Sequence, residues 1–296
     1  MAVCPRCGAE SEGAVCPNCG ALVNRGTARE HPTREILARA RILLSEQPAY
    51  WLMAAAGMAV ANVLSTAFLR SWGVHLAPRE GATGLPALPH LPMPPAATAL
   101  FLASVLGGGL VLGGMFAGAA RITAGGGRLG PGRFWALGAA NLPRTVGLYV
   151  AAWLLALAPP LVVGGILVQV HAAPLAAFLL ALWLVGLLVL GLPTALLWLG
   201  ASYAGPGVLR GMGDALERIV RGGSFGAAWA ILGVYLAAVL VLDLGGISVT
   251  GLLVVAGARG VVPALDALMA AVLAVPMAWG VLAAMVLYRR PTERRA

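Results

Sequence analysis

Charge is scarce in this chain. Only 10% of its 296 residues are Asp, Glu, Lys or Arg, and 60% are hydrophobic, whereas ordinary soluble domains carry roughly 25% charged residues. That scarcity excludes a soluble globular enzyme. Lysine is missing altogether, so all 20 basic residues behind the net charge of +9 are arginine. Arginine in place of lysine, with heavy use of Ala, Gly, Leu, Val and Pro, reads as a GC-rich coding bias and points to a bacterium. A pI near 10.4 would raise the question of nucleic acid for a soluble protein. A membrane protein instead gathers arginine on its cytoplasmic flanks, so no nucleic-acid partner is expected. Cysteine is equally sparse: there are four, all within the first 19 residues, and the rest of the chain has none.

Those four cysteines are not scattered. Cys4-Pro5-Arg6-Cys7-Gly8 is answered by Cys16-Pro17-Asn18-Cys19-Gly20, two C-P-x-C-G knuckles. A C-x-x-C turn delivers two thiolates to one ion, Gly after the second Cys tolerates positive φ, and two such turns complete a zinc tetrahedron. Without metal the stretch has only Val3, Val15, Leu22 and Val23 to bury, so zinc supplies most of its folding free energy, on the order of 10 kcal/mol. The knuckles resemble the short zinc-ribbon modules at the N-termini of many bacterial proteins, over residues 3–23. That resemblance implies that Cys4, Cys7, Cys16 and Cys19 are the ligands of one Zn2+. Four thiolates leave no open position for water, so the zinc is expected to be structural rather than catalytic. Reduced thiolates place this end in the cytosol, and the first thirty residues lack the apolar stretch of a signal peptide. Arg6 stands against Glu10 and Glu12, so the ribbon offers no basic patch for phosphate, and a cytosolic protein is its expected partner.

The remainder is apolar in blocks. Residues 24–32 form a polar linker, and 33–48 form an amphipathic helix with Ile36, Leu37, Ala40, Leu43 and Leu44 on one face. It either lies in the membrane interface or extends the first span. A six-span domain occupies 49–290, with spans at about 49–69, 97–120, 145–170, 174–200, 227–257 and 264–288, and 291–296 form a tail. The expected fold class is an all-α polytopic membrane protein with interfacial helices and a small zinc ribbon. With both termini cytoplasmic, only Arg70, Arg79 and Arg259 face outside and 17 of the 20 arginines face in. The positive-inside rule therefore places the chain in the bacterial cytoplasmic membrane with that orientation. The proline-rich loop 70–96 then lies outside.

A repeat emerges at an offset of 86 residues. Gly147, Tyr149, Ala151, Ala152, Leu154, Val163, Gly165, Leu167 and Val168 recur as Gly233, Tyr235, Ala237, Ala238, Leu240, Val249, Gly251, Leu253 and Val254. Pro159-Pro160 aligns with Gly245-Gly246, which predicts a bend or opening at the same depth in both helices. Each copy follows an amphipathic stretch with a G-x-F sequence, Gly132-Arg133-Phe134 and Gly223-Ser224-Phe225. Before the second, Val208, Leu209, Met212, Ala215, Leu216, Ile219 and Val220 form one apolar face. The simplest architecture is three units, each an interfacial helix followed by two spans.

The interfacial helices, G-x-F sequences and paired spans resemble the membrane domain of glycerophosphodiester phosphodiesterases over residues 33–290. In that family the hydrolytic chemistry belongs to a separate soluble barrel, so hydrolysis is not implied here. Gly125-Gly126-Gly127 and Leu142-Pro143 also resemble the Yip-type membrane family, which has five spans rather than six.

Polar residues inside the predicted spans are few, chiefly Asn62, Ser65, Thr66, Ser104 and Thr194, and such groups ordinarily bond a neighbouring helix or their own backbone. Asp243, Asp266, His171 and Gln169 fall near the outer ends of spans three, five and six, where interface residues reach water or converge on a small external site. Gly109 with Gly113 and Gly114 with Gly118 form two small-x-x-x-small pairs, suited to internal packing or to a homo-oligomer face. No Ser-His-Asp set, phosphate loop, paired carboxylates or intramembrane His pair is found. The expected function is therefore non-enzymatic: a membrane scaffold or lipid-organising protein with a docking ribbon, in contact with membrane lipids. The alternative is a transporter or permease subunit for a neutral or lipid-like substrate, motivated by the parallel repeat and its matched breaks.

Overall fold

Proline marks where helices start. Its fixed φ and missing N–H cost little in a first turn, where that donor has no intrahelical partner, and Pro32, Pro48, Pro95 and Pro131 each open a helix. The computed structural model describes residues 2–3, 10–11, 32–72, 94–169, 173–205, 207–220 and 223–290. Strands β1 (Ala2–Val3) and β2 (Glu10–Ser11) pair antiparallel. The helices are α1 (Pro32–Glu46), α2 (Pro48–Ser71), α3 (Pro95–Thr123), α4 (Pro131–Gln169), α5 (Ala173–Gly186), α6 (Leu192–Ala204), α7 (Val208–Val220), α8 (Phe225–Val255) and α9 (Val262–Arg289). A π-turn at Leu187–Gly191 joins α5 to α6. The chain divides into two compact units, Met1–Glu35 and Ile36–Ala296.

Among the described residues six helices are long and apolar enough to cross a membrane: Pro48–Ser71, Pro95–Thr123, Pro131–Val163, Ala177–Ala204, Phe225–Val255 and Val262–Arg289. This is a multi-pass helical membrane architecture. The largest departure from the predicted bounds is the third span, expected at 145–170, which belongs to one 39-residue helix beginning at Pro131. At 1.5 Å per residue that helix reaches about 58 Å, almost twice the hydrocarbon thickness of a bilayer. Part of α4 therefore lies beyond the hydrocarbon or crosses it obliquely. By contrast, α1 and α7 are separate helices ahead of α2 and α8. The α1–α2 break falls at Gln47, whose φ of −123° and ψ of 61° leave the helical region.

The aligned breakers do not interrupt their helices, which corrects the opening expected there. α4 runs through Pro159-Pro160 and α8 through Gly245-Gly246. Pro160 leaves the Ala156 carbonyl without its usual amide donor, and the Trp183 indole N–H of α5 donates to that carbonyl at 3.0 Å. Such repair matters in hydrocarbon, where no water can serve. Gly246 is instead a packing site, since a Cβ there would sit 2.9 Å from the Met269 terminal methyl of α9. The irregularity falls in the fourth span, where the π-turn precedes Pro193. The Val189 carbonyl, four residues before that proline, accepts the Trp229 indole N–H of α8 at 3.2 Å.

Packing is concentrated at one end of the bundle. In α3 the buried run is continuous from Val111 to Ala120, and α9 is buried from Gly280 to Met285. The glycine pairs of α3 make this possible. A Cβ on Gly113 would lie 3.0 Å from the Gly138 carbonyl of α4, one on Gly114 2.8 Å from the Phe134 ring, and one on Gly118 3.0 Å from Leu129. Conversely, a Cβ on Gly138 would run into the Leu110 carbonyl of α3. These glycines are therefore intramolecular contacts, with backbones touching where side chains are absent.

Candidate functional site

At the packed end, arginines and polar side chains tie helix termini together. The last carbonyls of a helix have no intrahelical donor and carry partial negative charge, which suits a guanidinium. Arg289 at the end of α9 donates from Nη2 to the Ala120 carbonyl at 2.9 Å and from Nε to Thr123 Oγ1 at 3.1 Å, closing the end of α3. Arg218 of α7 donates from Nη1 to the Tyr288 carbonyl at 2.8 Å, closing the end of α9. Its guanidinium lies 4.4 Å from the Tyr288 ring centroid, and its Nε lies 3.3 Å from Asp214 Oδ2. Buried Gln47 accepts the Leu129 amide at 3.0 Å, which fixes the segment between α3 and α4 against the α1–α2 break. Tyr50 donates to the Met115 carbonyl at 3.1 Å from a fully buried position.

Helix α7 divides the apolar face read from its sequence into two. Gly211, Ala215 and Ile219 are buried, and Gly211 is close enough to α6 that a Cβ would lie 3.0 Å from that of Ala201. Leu209, Met212, Leu216 and Val220 form a second stripe that stays exposed, Leu209 by 85%. A helix with one stripe on the bundle and an adjacent apolar stripe uncovered has the form of an interfacial helix. A photo-reactive residue in place of Leu216 is accordingly expected to cross-link to phospholipid in native membranes; labelling confined to protein would contradict that placement.

Beside α7, helices α3, α4 and α6 enclose an apolar groove of about 540 Å³. Phe116 contributes from α3, Leu148, Ala152, Trp153 and Ala156 from α4, and Ala195, Trp198 and Leu199 from α6. Its α4 wall is uncovered, with Tyr149 51% and Trp153 59% exposed. The Trp198 indole N–H donates to the Val208 carbonyl at 2.6 Å, joining the groove wall to the start of α7. The groove runs towards a polar corner. There the Thr145 hydroxyl lies 2.7 Å from the Tyr203 hydroxyl, and Thr145 also donates to the Asn141 carbonyl at 2.9 Å. The Tyr203 ring meets Phe116 edge-on at 5.3 Å, and the exposed Arg144 guanidinium lies 5.7 Å from the Tyr203 ring centroid. Among the described residues no carboxylate forms an ion pair with Arg144.

The residues singled out by sequence fall in different places. Cys4, Cys7, Cys16 and Cys19 lie outside the described residues, as does His171. Asp243 and Gln169 are exposed and Asp266 half-buried; among the described residues no three His, Cys, Asp or Glu side chains gather into a metal-binding group. Ser104 and Thr194 bond their own helix backbones, to Phe101 at 2.8 Å and Leu190 at 2.6 Å. The Thr145–Tyr203–Arg144 corner and the indole bonds of Trp183, Trp198 and Trp229 escaped sequence reading. Their one sequence signal was a tryptophan or tyrosine within helical reach of a proline or a span end. No protein-family model, curated protein or solved structure matches the chain.

Proposed function

We propose that this is a non-enzymatic protein of the bacterial cytoplasmic membrane, with both termini cytosolic, whose zinc ribbon docks a cytosolic protein and whose bundle organises lipid. The observation that carries this reading is the asymmetry of the bundle. Arginine-closed helix ends, the exposed stripe of α7 and the densest packing all lie at one end. That end suits a rigid platform at the cytosolic interface, where arginine is enriched and anionic headgroups reside.

In this reading Cys4, Cys7, Cys16 and Cys19 hold one structural Zn2+. The β1–β2 pairing supports it by setting Val3 opposite Glu10, so the chain on either side of the Cys4–Cys7 knuckle starts and ends together. Four thiolates are also the donor set of closed structural zinc sites. The transporter alternative drew on matched helix breaks, and α4 and α8 are continuous at those positions.

The test is metal content and partner capture by the full-length protein. One zinc per chain and a stoichiometric cytosolic partner are expected, with both lost in Cys4→Ser and Cys16→Ser. Docking through the ribbon fails if those variants lose zinc yet keep every cytosolic interaction.

A further inference from the structure

We infer that the α3–α4–α6 groove is a phospholipid site, holding one acyl chain along α4 with the lipid phosphate on Arg144. The inference rests on the lipid-organising reading above and assigns it a location. Along α4 the lining runs from Leu148 to Leu157, about 14 Å at 1.5 Å per residue. That length is close to one leaflet, about half of a hydrocarbon core roughly 30 Å thick.

The two ends of the groove differ in the way a phospholipid differs along its length. Leu148, Ala152 and Ala156 succeed one another at four-residue intervals on one face of α4, and the same row continues back to Arg144. The apolar row therefore ends in a cation one turn beyond Leu148. Tyr203 fixes that end: its ring contacts Phe116 of the groove and lies beneath Arg144, while its hydroxyl is held by Thr145. Arg144 is exposed and, among the described residues, has no carboxylate partner. Its donors remain available for a phosphate, which guanidinium recognises by paired, charge-assisted hydrogen bonds. Exposed Tyr149 and Trp153 flank the row, aromatic types favoured near membrane interfaces.

An acyl chain is the occupant this environment selects. The groove is walled by membrane-crossing helices and opens where Tyr149 and Trp153 are uncovered, so lipid is the medium in contact with it. Charge complementarity then selects anionic over zwitterionic headgroups, because a zwitterion places a second cation near the guanidinium.

Native mass spectrometry of the full-length protein in detergent, titrated with dioleoylphosphatidylglycerol or dioleoylphosphatidylcholine, tests both halves. The wild-type protein is expected to retain the anionic lipid at least tenfold more strongly. Arg144→Gln removes that preference, Ala152→Trp fills the groove and abolishes retention of either lipid, and Arg210→Gln on α7 changes neither. Because Ala152→Trp could disturb packing, its thermal transition is measured in parallel, and Arg144→Gln, at an exposed position, stands as the independent arm. Unchanged retention in both variants overturns the site. Loss with Ala152→Trp but no change in headgroup preference with Arg144→Gln overturns the assignment of phosphate to Arg144. Zinc content and ribbon-dependent partner capture, measured on the same variants, separate failure of this site from failure of the scaffold reading.

Discussion

Gly138→Val is expected to abolish the folded protein, whereas Gly147→Val in the same helix leaves it intact. The two sites share chemistry and differ in surroundings. A Cβ on Gly138 runs into the Leu110 carbonyl and comes within 3.3 Å of the Gly114 amide nitrogen, both backbone atoms of α3. Nothing there can rotate away, so α3 and α4 have to separate. Overpacking in a rigid core costs about 1–3 kcal/mol even where side chains can shift, and a backbone-on-backbone clash belongs at or above that limit. Gly147 has no atom within 4 Å of its Cβ position and faces outward. Fluorescence-detected size exclusion in mild detergent reads the contrast. A monodisperse peak of wild-type height for Gly138→Val would show that the α3–α4 contact is dispensable.

The second large effect concerns Trp183, and its signature is a coupling rather than a single loss. Trp183→Phe keeps the apolar ring but leaves the Ala156 carbonyl without the indole donor that replaces the amide missing at Pro160. An unsatisfied carbonyl of this kind costs about 1–3 kcal/mol, although individual hydrogen bonds within membranes average nearer the lower figure. Pro160→Ala restores the backbone donor, so Trp183→Phe should cost almost nothing in that background. Thermal unfolding of the wild-type protein, both single variants and the double variant gives the coupling directly. Additive losses would mean that Trp183 contributes only its packing.

Much of the fold was legible from sequence because hydrophobicity in a bilayer leaves few alternatives. Apolar runs of sufficient length predict six crossing helices, and among the described residues six helices are long and apolar enough to cross a membrane. Positions were harder. The amphipathic stretch around Gly132-Arg133-Phe134 and the third span read as two segments in the sequence, whereas α4 continues from one into the other as a single helix. The expected openings at Pro159-Pro160 and Gly245-Gly246 failed for a reason no local pattern contains. The donor that repairs the first is Trp183, 27 positions from Ala156, and the second is a contact surface for Met269. The Tyr203–Thr145 pair joins residues 58 positions apart, and neither type is distinctive in a sequence so poor in charge. The four cysteines lie outside the described residues, so the zinc site proposed for them rests on their spacing.

The arginine closures also make α9 a mechanical link in series. Its final turn is gripped from one side by Arg218 of α7, and through Arg289 it grips α3 on the other. A displacement of α7 therefore has two routes into the bundle, the close contact of Gly211 with Ala201 of α6 and the polar one through the end of α9 to the α3 terminus. The attachment points of the polar route are charge-assisted hydrogen bonds from Arg218 and Arg289. Three helix ends far apart in sequence, those of α7, α9 and α3, are thereby joined in series through two named side chains.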